Sequence, residues 1–348
     1  MECYAGLDVS LELTSVCIMD RDGKVVREAK VATDPGELGG YLRGAGVELK
    51  RVGLEAGATT QWLYGGLAEL GLPVVCIETR HAKAAMAAMT NKTDRNDARG
   101  IANMMRTGWF RAVHVKTEIA QELRFLLTAR QTLVRKVIDI ELAIRGMLRS
   151  FGLKMGKVPK RHFEARVHEL AGDRPNLMMA LRPMLKARLV LRTEYETLSK
   201  IAIKVARDDA VCRRLITVPG VGAIVALTYR ATIDVPTRFK RSRAVGAHLG
   251  LTPRTHQSGE VDRTGRVSKS GDGMTRTALY EAAHVLLTRV KRACALRSWG
   301  LRLQKNRGHK RAVTAVARQL AVVMHRIWAD GVDFDWGAPT EGNSATAG

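Results

Sequence analysis

The order of apolar runs near the N-terminus constrains this chain more than any other feature. Cys3 to Ala32 reads as three strands: Tyr4-Ala5-Gly6-Leu7-Asp8-Val9, then Ser15-Val16-Cys17-Ile18-Met19, then a run from Val25-Val26 onward. Asp20-Arg21-Asp22-Gly23 supplies turn chemistry between the last two, which predicts an antiparallel meander. Asp34-Pro35 is a helix-start signal leading into Leu38, Tyr41 and Leu42, and the chain then returns as the strand Val52-Gly53-Leu54-Glu55. A second helix is predicted from Thr60, with Trp62, Leu63, Leu67 and Leu70 at helical spacing, before the strand Pro73 to Ile77. A meander followed by alternating helices and strands predicts a mixed sheet with helical cover.

Within that frame two acids stand where a charge is costly. Asp8 lies in the middle of the first apolar strand and Glu55 ends another. Asp94 and Asp97 occur three apart in Thr93-Asp94-Arg95-Asn96-Asp97-Ala98-Arg99, so on a helix both face the same side. The order β-β-β-α-β-α-β-α is that of a ribonuclease-H-like domain, which would gather acids from three elements at one end of the sheet. Carboxylates brought that close repel one another and take up protons unless a divalent cation holds them ionised, so Mg2+ is the expected cofactor. The bland alternative for any single acid is a helix cap or a surface ion pair.

Residues 115–210 change character to long helical segments. Leu126, Leu133, Ile140 and Met147 recur every seven residues, with Val137, Ile144 and Phe151 as the offset series. The second segment repeats the device with Met184, Leu191, Leu198 and Val205, offset by Tyr195 and Ala202, while Arg130 and Arg188 interrupt the seams. An intramolecular hairpin and a dimerising coiled coil satisfy this pattern equally. The basic stretch Lys154 to Arg166 between them suits either a nucleic-acid backbone or a solvated loop.

From residue 211 to about 330 the chain reads as compact and mainly helical. Val218-Pro219-Gly220-Val221-Gly222 is a glycine turn between two helices, and Gly220 and Gly222 there would offer backbone N–H groups to phosphate. Downstream, Ser258 precedes a glycine in a polar loop, near His256 and the cations Arg254, Arg263, Arg266, Lys269 and Arg276. Such cations would hold a scissile phosphate beside a serine hydroxyl, with Ser268 and Ser270 as rival serines. Residues 331–348, rich in Gly, Pro, Asn, Ser, Thr and Ala, read as a disordered tail.

Composition narrows the partner. The 348 residues carry 57 Lys plus Arg against 34 Asp plus Glu, a formal charge of +23 that repels itself unless a polyanion neutralises it. No apolar run approaches the length of a spanning helix, and Glu2, Asp8 and Glu12 interrupt any signal-like stretch. A cytoplasmic, nucleoid-associated protein without a membrane role is therefore expected. Cys3, Cys17, Cys76, Cys212 and Cys294 are odd in number and scattered, which argues against a disulfide framework or a zinc site and predicts buried thiols.

The chain resembles the DEDD transposases of the one-ten group of bacterial insertion sequences, the bridge-RNA-guided recombinases. The residues that carry the likeness are Gly6-Leu7-Asp8, Leu54-Glu55-Ala56-Gly57, the block Lys92 to Arg99, Pro219-Gly220-Val221-Gly222, and Gly250-Leu251-Thr252-Pro253-Arg254 through Ser258-Gly259. The resemblance implies a RuvC-like catalytic domain over residues 1–114, a helical dimerisation segment over 115–210, and a mainly α transposase domain over 211–330. It places the magnesium-binding acids on Asp8, Glu55, Asp94 and Asp97 and the nucleophile on Ser258. It further implies a structured guide RNA that pairs with donor and target DNA, and a homodimer assembling to a tetramer on DNA. Many relatives carry Glu-Ala-Thr-Gly where this chain has Glu55-Ala56-Gly57-Ala58, a departure that leaves the acid in place. Two other readings fit the residues: a RuvC-like Holliday-junction nuclease using water, and a non-catalytic nucleic-acid-binding protein.

Overall fold

The computed structural model describes residues 1–87, 91–259 and 261–337, and falls into two compact units, Met1–Lys116 and Thr117–Gly348. In the first unit the strands β1 (Glu2–Val9), β2 (Leu13–Asp20) and β3 (Val25–Ala32) form the expected meander. Helix α1 (Pro35–Arg43) follows, its N-terminus capped by the Asp34 carboxylate, which accepts from the Gly36 and Glu37 N–H groups. Then come β4 (Glu48–Glu55), α2 (Thr60–Glu69), β5 (Val74–Ile77), α3 (Thr79–Met86) and α4 (Asp94–Thr107). The sheet order is β3-β2-β1-β4-β5, with β1, β4 and β5 parallel, so the mixed sheet read from the sequence is present.

Alternation along the strands divides the two faces. Cys3, Ala5 and Leu7 of β1, Val16 and Ile18 of β2, and Val52 and Leu54 of β4 pack under Leu38, Leu42, Leu63 and Leu67 of α1 and α2. The opposite face belongs to α4. Gly6 and Gly53 are direct partners in the parallel β1/β4 pair, and both lack a side chain on that face. A Cβ on Gly6 would sit 2.2 Å from the Ala98 carbonyl oxygen and 2.3 Å from the Ala102 nitrogen. One on Gly53 would sit 2.7 Å from Met105 and 2.9 Å from Ile101. The two glycines thus form a trough in which α4 rests its backbone on Gly6 and its Ile101 and Met105 side chains on Gly53. Glu28 of β3 fixes the outer side of the helix through ion pairs with Arg95 and Arg99.

The second unit opens with α5 (Glu118–Ser150), followed by a 3-10 turn at Lys160–His162, α6 (Phe163–Ala171) and α7 (Pro175–Asp208). Helices α5 and α7 pack on each other within the chain, and Ile144, Leu148, Phe163, Val167, Leu181 and Leu185 form the core at one end of the pair. The buried positions differ from the predicted seam. Met147 and Phe151 are 40% and 54% exposed, while Leu148 and Arg188 are buried. The Arg188 guanidinium pairs with Glu141 at 2.7 Å, donates to the Lys160 carbonyl and lies over the Phe163 ring, so it ties the three helices together rather than loosening them. The basic stretch after α5 is likewise no plain loop, because Met155 and Phe163 within it are buried.

The remaining elements are α8 (Ala210–Ile216), α9 (Ala223–Ile233), α10 (Ala244–His248), the hairpin β6 (Pro253–Ser258) and β7 (Val261–Val267), α11 (Gly273–Thr288), α12 (Ala295–Arg307) and α13 (His309–Asp330). The hairpin corrects one expectation: Ser258 ends a strand and does not sit in a loop. Gly331–Gly337 also differs from the tail expected there. Phe334 and Trp336 pack on the core of this unit, the Phe334 N–H donates to the Thr217 hydroxyl, and Arg292 covers the Trp336 ring. The rest of that expected tail, 338–348, lies outside the described residues.

Gly6→Ala should destabilise the protein by about 1–3 kcal/mol, since the clash is with backbone that cannot swing away. Denaturant unfolding of the variant against wild type measures this; equal midpoints would mean that α4 does not rest on β1 as described.

Candidate catalytic acids and serine

The trough determines where the acids go. Asp8 and Glu55 each follow a trough glycine by two residues, so both side chains stand on the α4 face at the C-terminal ends of neighbouring strands. On the helix, Ala98 and Ala102 lie over Gly6 while Ile101 and Met105 lie over Gly53. One turn toward the N-terminus, the same two ridges end in Asp94 and Asp97. Thr93 caps this end by accepting from the Asn96 N–H.

Electrostatics shows that these acids sense one another. Burial raises the Asp8 pKa, and the charges of Asp97 and Asp94 raise it further. Burial also raises Glu55, with Asp8 and Asp97 adding to it. Lys92 opposes both shifts. Asp94 behaves differently: its carboxylate accepts from the Lys30 ammonium at 3.0 Å, which lowers its pKa. Among the described residues no group of three or more His, Cys, Asp or Glu side chains is arranged to hold a metal ion as it stands. The donor set nonetheless suits a hard divalent cation, because half-buried, mutually repelling carboxylates lose their penalty when such an ion sits between them. Asp8, Glu55 and Asp97 would close on such an ion only after their side chains move, and Asp94 would in addition have to leave Lys30.

In the second unit Ser258 is exposed and its hydroxyl has no hydrogen-bond partner among the described residues. His256 pairs directly with Arg263 across the hairpin, and His256 and Ser258 share a strand face by alternation. The cations grouped around Ser258 from the sequence therefore separate. His256 and Arg263 stay with the serine, while Arg266 and Lys269 line a groove beyond the base of the hairpin. Arg254 donates to the Ser268 carbonyl. Arg276 spends its Nη1 on the carbonyls of Leu249 and Ser270, at 3.1 and 3.0 Å, and so works as an internal strap. The rival hydroxyls of Ser268 and Ser270 are 2.9 Å from each other.

The glycine turn holds a second division of labour. Gly220 adopts φ +86, and a Cβ there would lie 2.5 Å from the Ala282 carbonyl oxygen, so it is required for close packing on α11. Gly222 is exposed at the N-terminus of α9 with open space around it, which leaves only that end accessible to phosphate. Sequence reasoning missed the positioning role of Gly6 and Gly53; the available signal was a glycine two residues before each strand acid. It also missed Glu28, since nothing in an exposed-looking edge strand marks a residue whose carboxyl Arg99 and Arg95 hold down at about 2.

Comparison with known proteins converges on one class. Residues 5–152 match a DEDD transposase family of the IS110 type, and residues 212–298 match the transposase IS116/IS110/IS902 family. The chain is 32% identical to the transposase for insertion sequence element IS1111A of Coxiella burnetii, over 93% of this chain and 88% of that one. It is 29% identical to a probable family 20 transposase of Pseudomonas aeruginosa, over 83% and 84% of the two chains. The class is therefore that of the insertion-sequence transposases, enzymes that act on DNA. Within it, the chain belongs to the IS110 family.

Raised carboxyl pKa values mean that the folded state binds protons more tightly than the unfolded chain, so ionised Asp8 and Glu55 oppose folding above those pKa values and cease to do so as pH falls through them. At neutral pH without divalent ions, Asp8→Asn should raise Tm by about 1–2 °C. Added Mg2+ should stabilise wild type and leave the variant unmoved, as read by thermal melts with and without the ion.

Proposed function

We propose that this transposase cleaves and exchanges DNA strands with Ser258 as nucleophile, Mg2+ held by Asp8, Glu55, Asp94 and Asp97, and a structured guide RNA selecting donor and target by base pairing. The observation that carries the catalytic part is the coupling of Asp8, Glu55 and Asp97 above the glycine trough, in an otherwise strongly basic chain. A protein that merely bound nucleic acid would gain nothing from gathering carboxylates that repel phosphate. The sheet order β3-β2-β1-β4-β5 supports reading residues 1–114 as a RuvC-like domain. The paired helices of 115–210 then provide dimer contacts, and two dimers meet on DNA.

In this reaction the Ser258 oxygen attacks a backbone phosphorus. A phosphoserine bond forms, the bond from phosphorus to one deoxyribose oxygen breaks, and that oxygen leaves with a proton. The serine proton passes to His256, its neighbour on the same strand face, or to solvent. Arg263 on the opposing strand offers a guanidinium to the charge building on the phosphate oxygens. Mg2+ held by the acids would supply positive charge to a DNA phosphate. The acids hold the ion, and Lys92 and Lys30 set their charge state. Because the phosphate remains covalently attached, a second DNA hydroxyl can take it over by the reverse displacement, which rejoins strands without hydrolysis.

The test incubates protein, Mg2+, element-derived RNA and end-labelled donor and target DNA, and looks for a protease-sensitive DNA adduct. Wild type should form one, and Ser258→Ala should lose it by at least about 100-fold. Clean cleavage by both proteins would instead assign hydrolysis by a RuvC-like nuclease.

A further inference from the structure

A strongly charged feature of the second unit lies away from the serine. A groove of about 1320 Å³ is walled by the base of the β6/β7 hairpin, α12 and α13. Eight of its lining residues are Lys or Arg and none of those described is acidic. Lys310, Arg311, Arg318 and Arg326 stand along α13, the last three at spacings close to multiples of a helical turn; Arg307 at the end of α12 adds to this flank, and Arg266 and Lys269 approach from the hairpin side. None of these cations has an ion-pair or side-chain hydrogen-bond partner among the described residues, and all are exposed. That contrasts with Arg95, Arg99, Arg124 and Arg188, each of which is matched by a carboxylate. Uncompensated like charge facing one space is unfavourable until a polyanion enters.

Between the cations the lining mixes apolar residues with Thr264, Thr314 and Gln319. Leu251, Val267, Ala315 and Val322 contribute to it, and Trp299 of α12 faces the groove with 38% of its surface exposed. It is the groove's one aromatic residue among those described. A duplex presents phosphates outward and keeps its base faces stacked inside, so it has no use for an indole in a pocket of this size. An unpaired strand presents both phosphates and bare base faces.

We infer that this groove holds a single nucleic-acid strand, with its phosphates along the α13 cations and one base stacked on Trp299. The inference rests on reading the C-terminal unit as handling nucleic acid, and it adds a strand-binding site separate from Ser258. The hairpin joins the two places. From its base at Pro253 to Ser258 is five residues, roughly 17 Å of strand, so a strand lodged in the groove flanks the reacting phosphate by a few nucleotides.

The test is fluorescence anisotropy of the full-length protein, without Mg2+, on labelled 15-nucleotide single strands of DNA and of RNA and on the matching DNA duplex. Trp299→Ala should weaken single-strand binding about tenfold, Trp299→Phe should recover most of it, and duplex affinity should stay within about twofold. Arg318→Gln combined with Arg326→Gln should reduce the salt slope for single strands by about 1.4. The tighter of the two single strands identifies the source as DNA or RNA. Unchanged single-strand affinity in Trp299→Ala, with a wild-type melting curve, overturns the proposal, and so does an equal loss on duplex. A Ser258 adduct that forms while groove variants bind normally removes the groove and keeps the serine reading. A Trp299-dependent single-strand complex with no adduct does the reverse.

Discussion

The approach of α4 to the sheet at Gly6 and Gly53 is the contact on which the placement of the candidate acids depends. Neighbouring glycines on two parallel strands clear the sheet side of this contact, so that helix backbone meets Gly6 and the Ile101 and Met105 side chains fill the space over Gly53, at distances that even an alanine would forbid. Because Asp8 and Glu55 stand two residues farther along those strands, and Asp94 and Asp97 one turn back along the helix, the same contact brings the strand acids and the helix N-terminus to one end of the sheet. Glu28 secures it from the side, its carboxyl held by Arg99 and Arg95 on successive turns of α4.

The strain this creates is electrostatic, and the chain distributes it unevenly. Asp8 and Glu55 are half-buried and carry the desolvation cost, which raises their pKa values; Asp94 is exposed and already neutralised by Lys30. A cation arriving at such a site has most to gain from the first pair. The Lys30 ammonium already neutralises Asp94, so under the proposed metal site an incoming ion would compete with it there.

The second unit sorts its cations by a similar logic. Arg188, Arg124 and Arg276 are consumed in holding helices and loops together, through carboxylates in the first two and carbonyls in the third. The cations of α13 and of the hairpin base have no ion-pair partner among the described residues, and they line the same groove as Trp299. A net charge of +23 is therefore not a uniform coat, because part of it is structural and part waits for phosphate.

By itself the sequence determined the succession of strands and helices in the first unit and the helical middle, and it marked Asp8 and Glu55 as candidates, because period-2 and period-3.6 patterns and a charge inside an apolar strand are local properties. Its motifs also placed the chain among the IS110 transposases. It did not show which seam residues are buried: Met147 and Phe151 face outward and Arg188 inward, since the partner of each helix face is chosen by how α5, α6 and α7 meet. Nor did it separate Arg263 from Arg266, or mark Arg276 as a strap, because near neighbours in a hairpin and its flanks point to different spaces once paired. The convergence of Asp8 with Asp97, about ninety residues apart in the chain, was likewise a tertiary decision, made where two glycines let a helix touch a sheet.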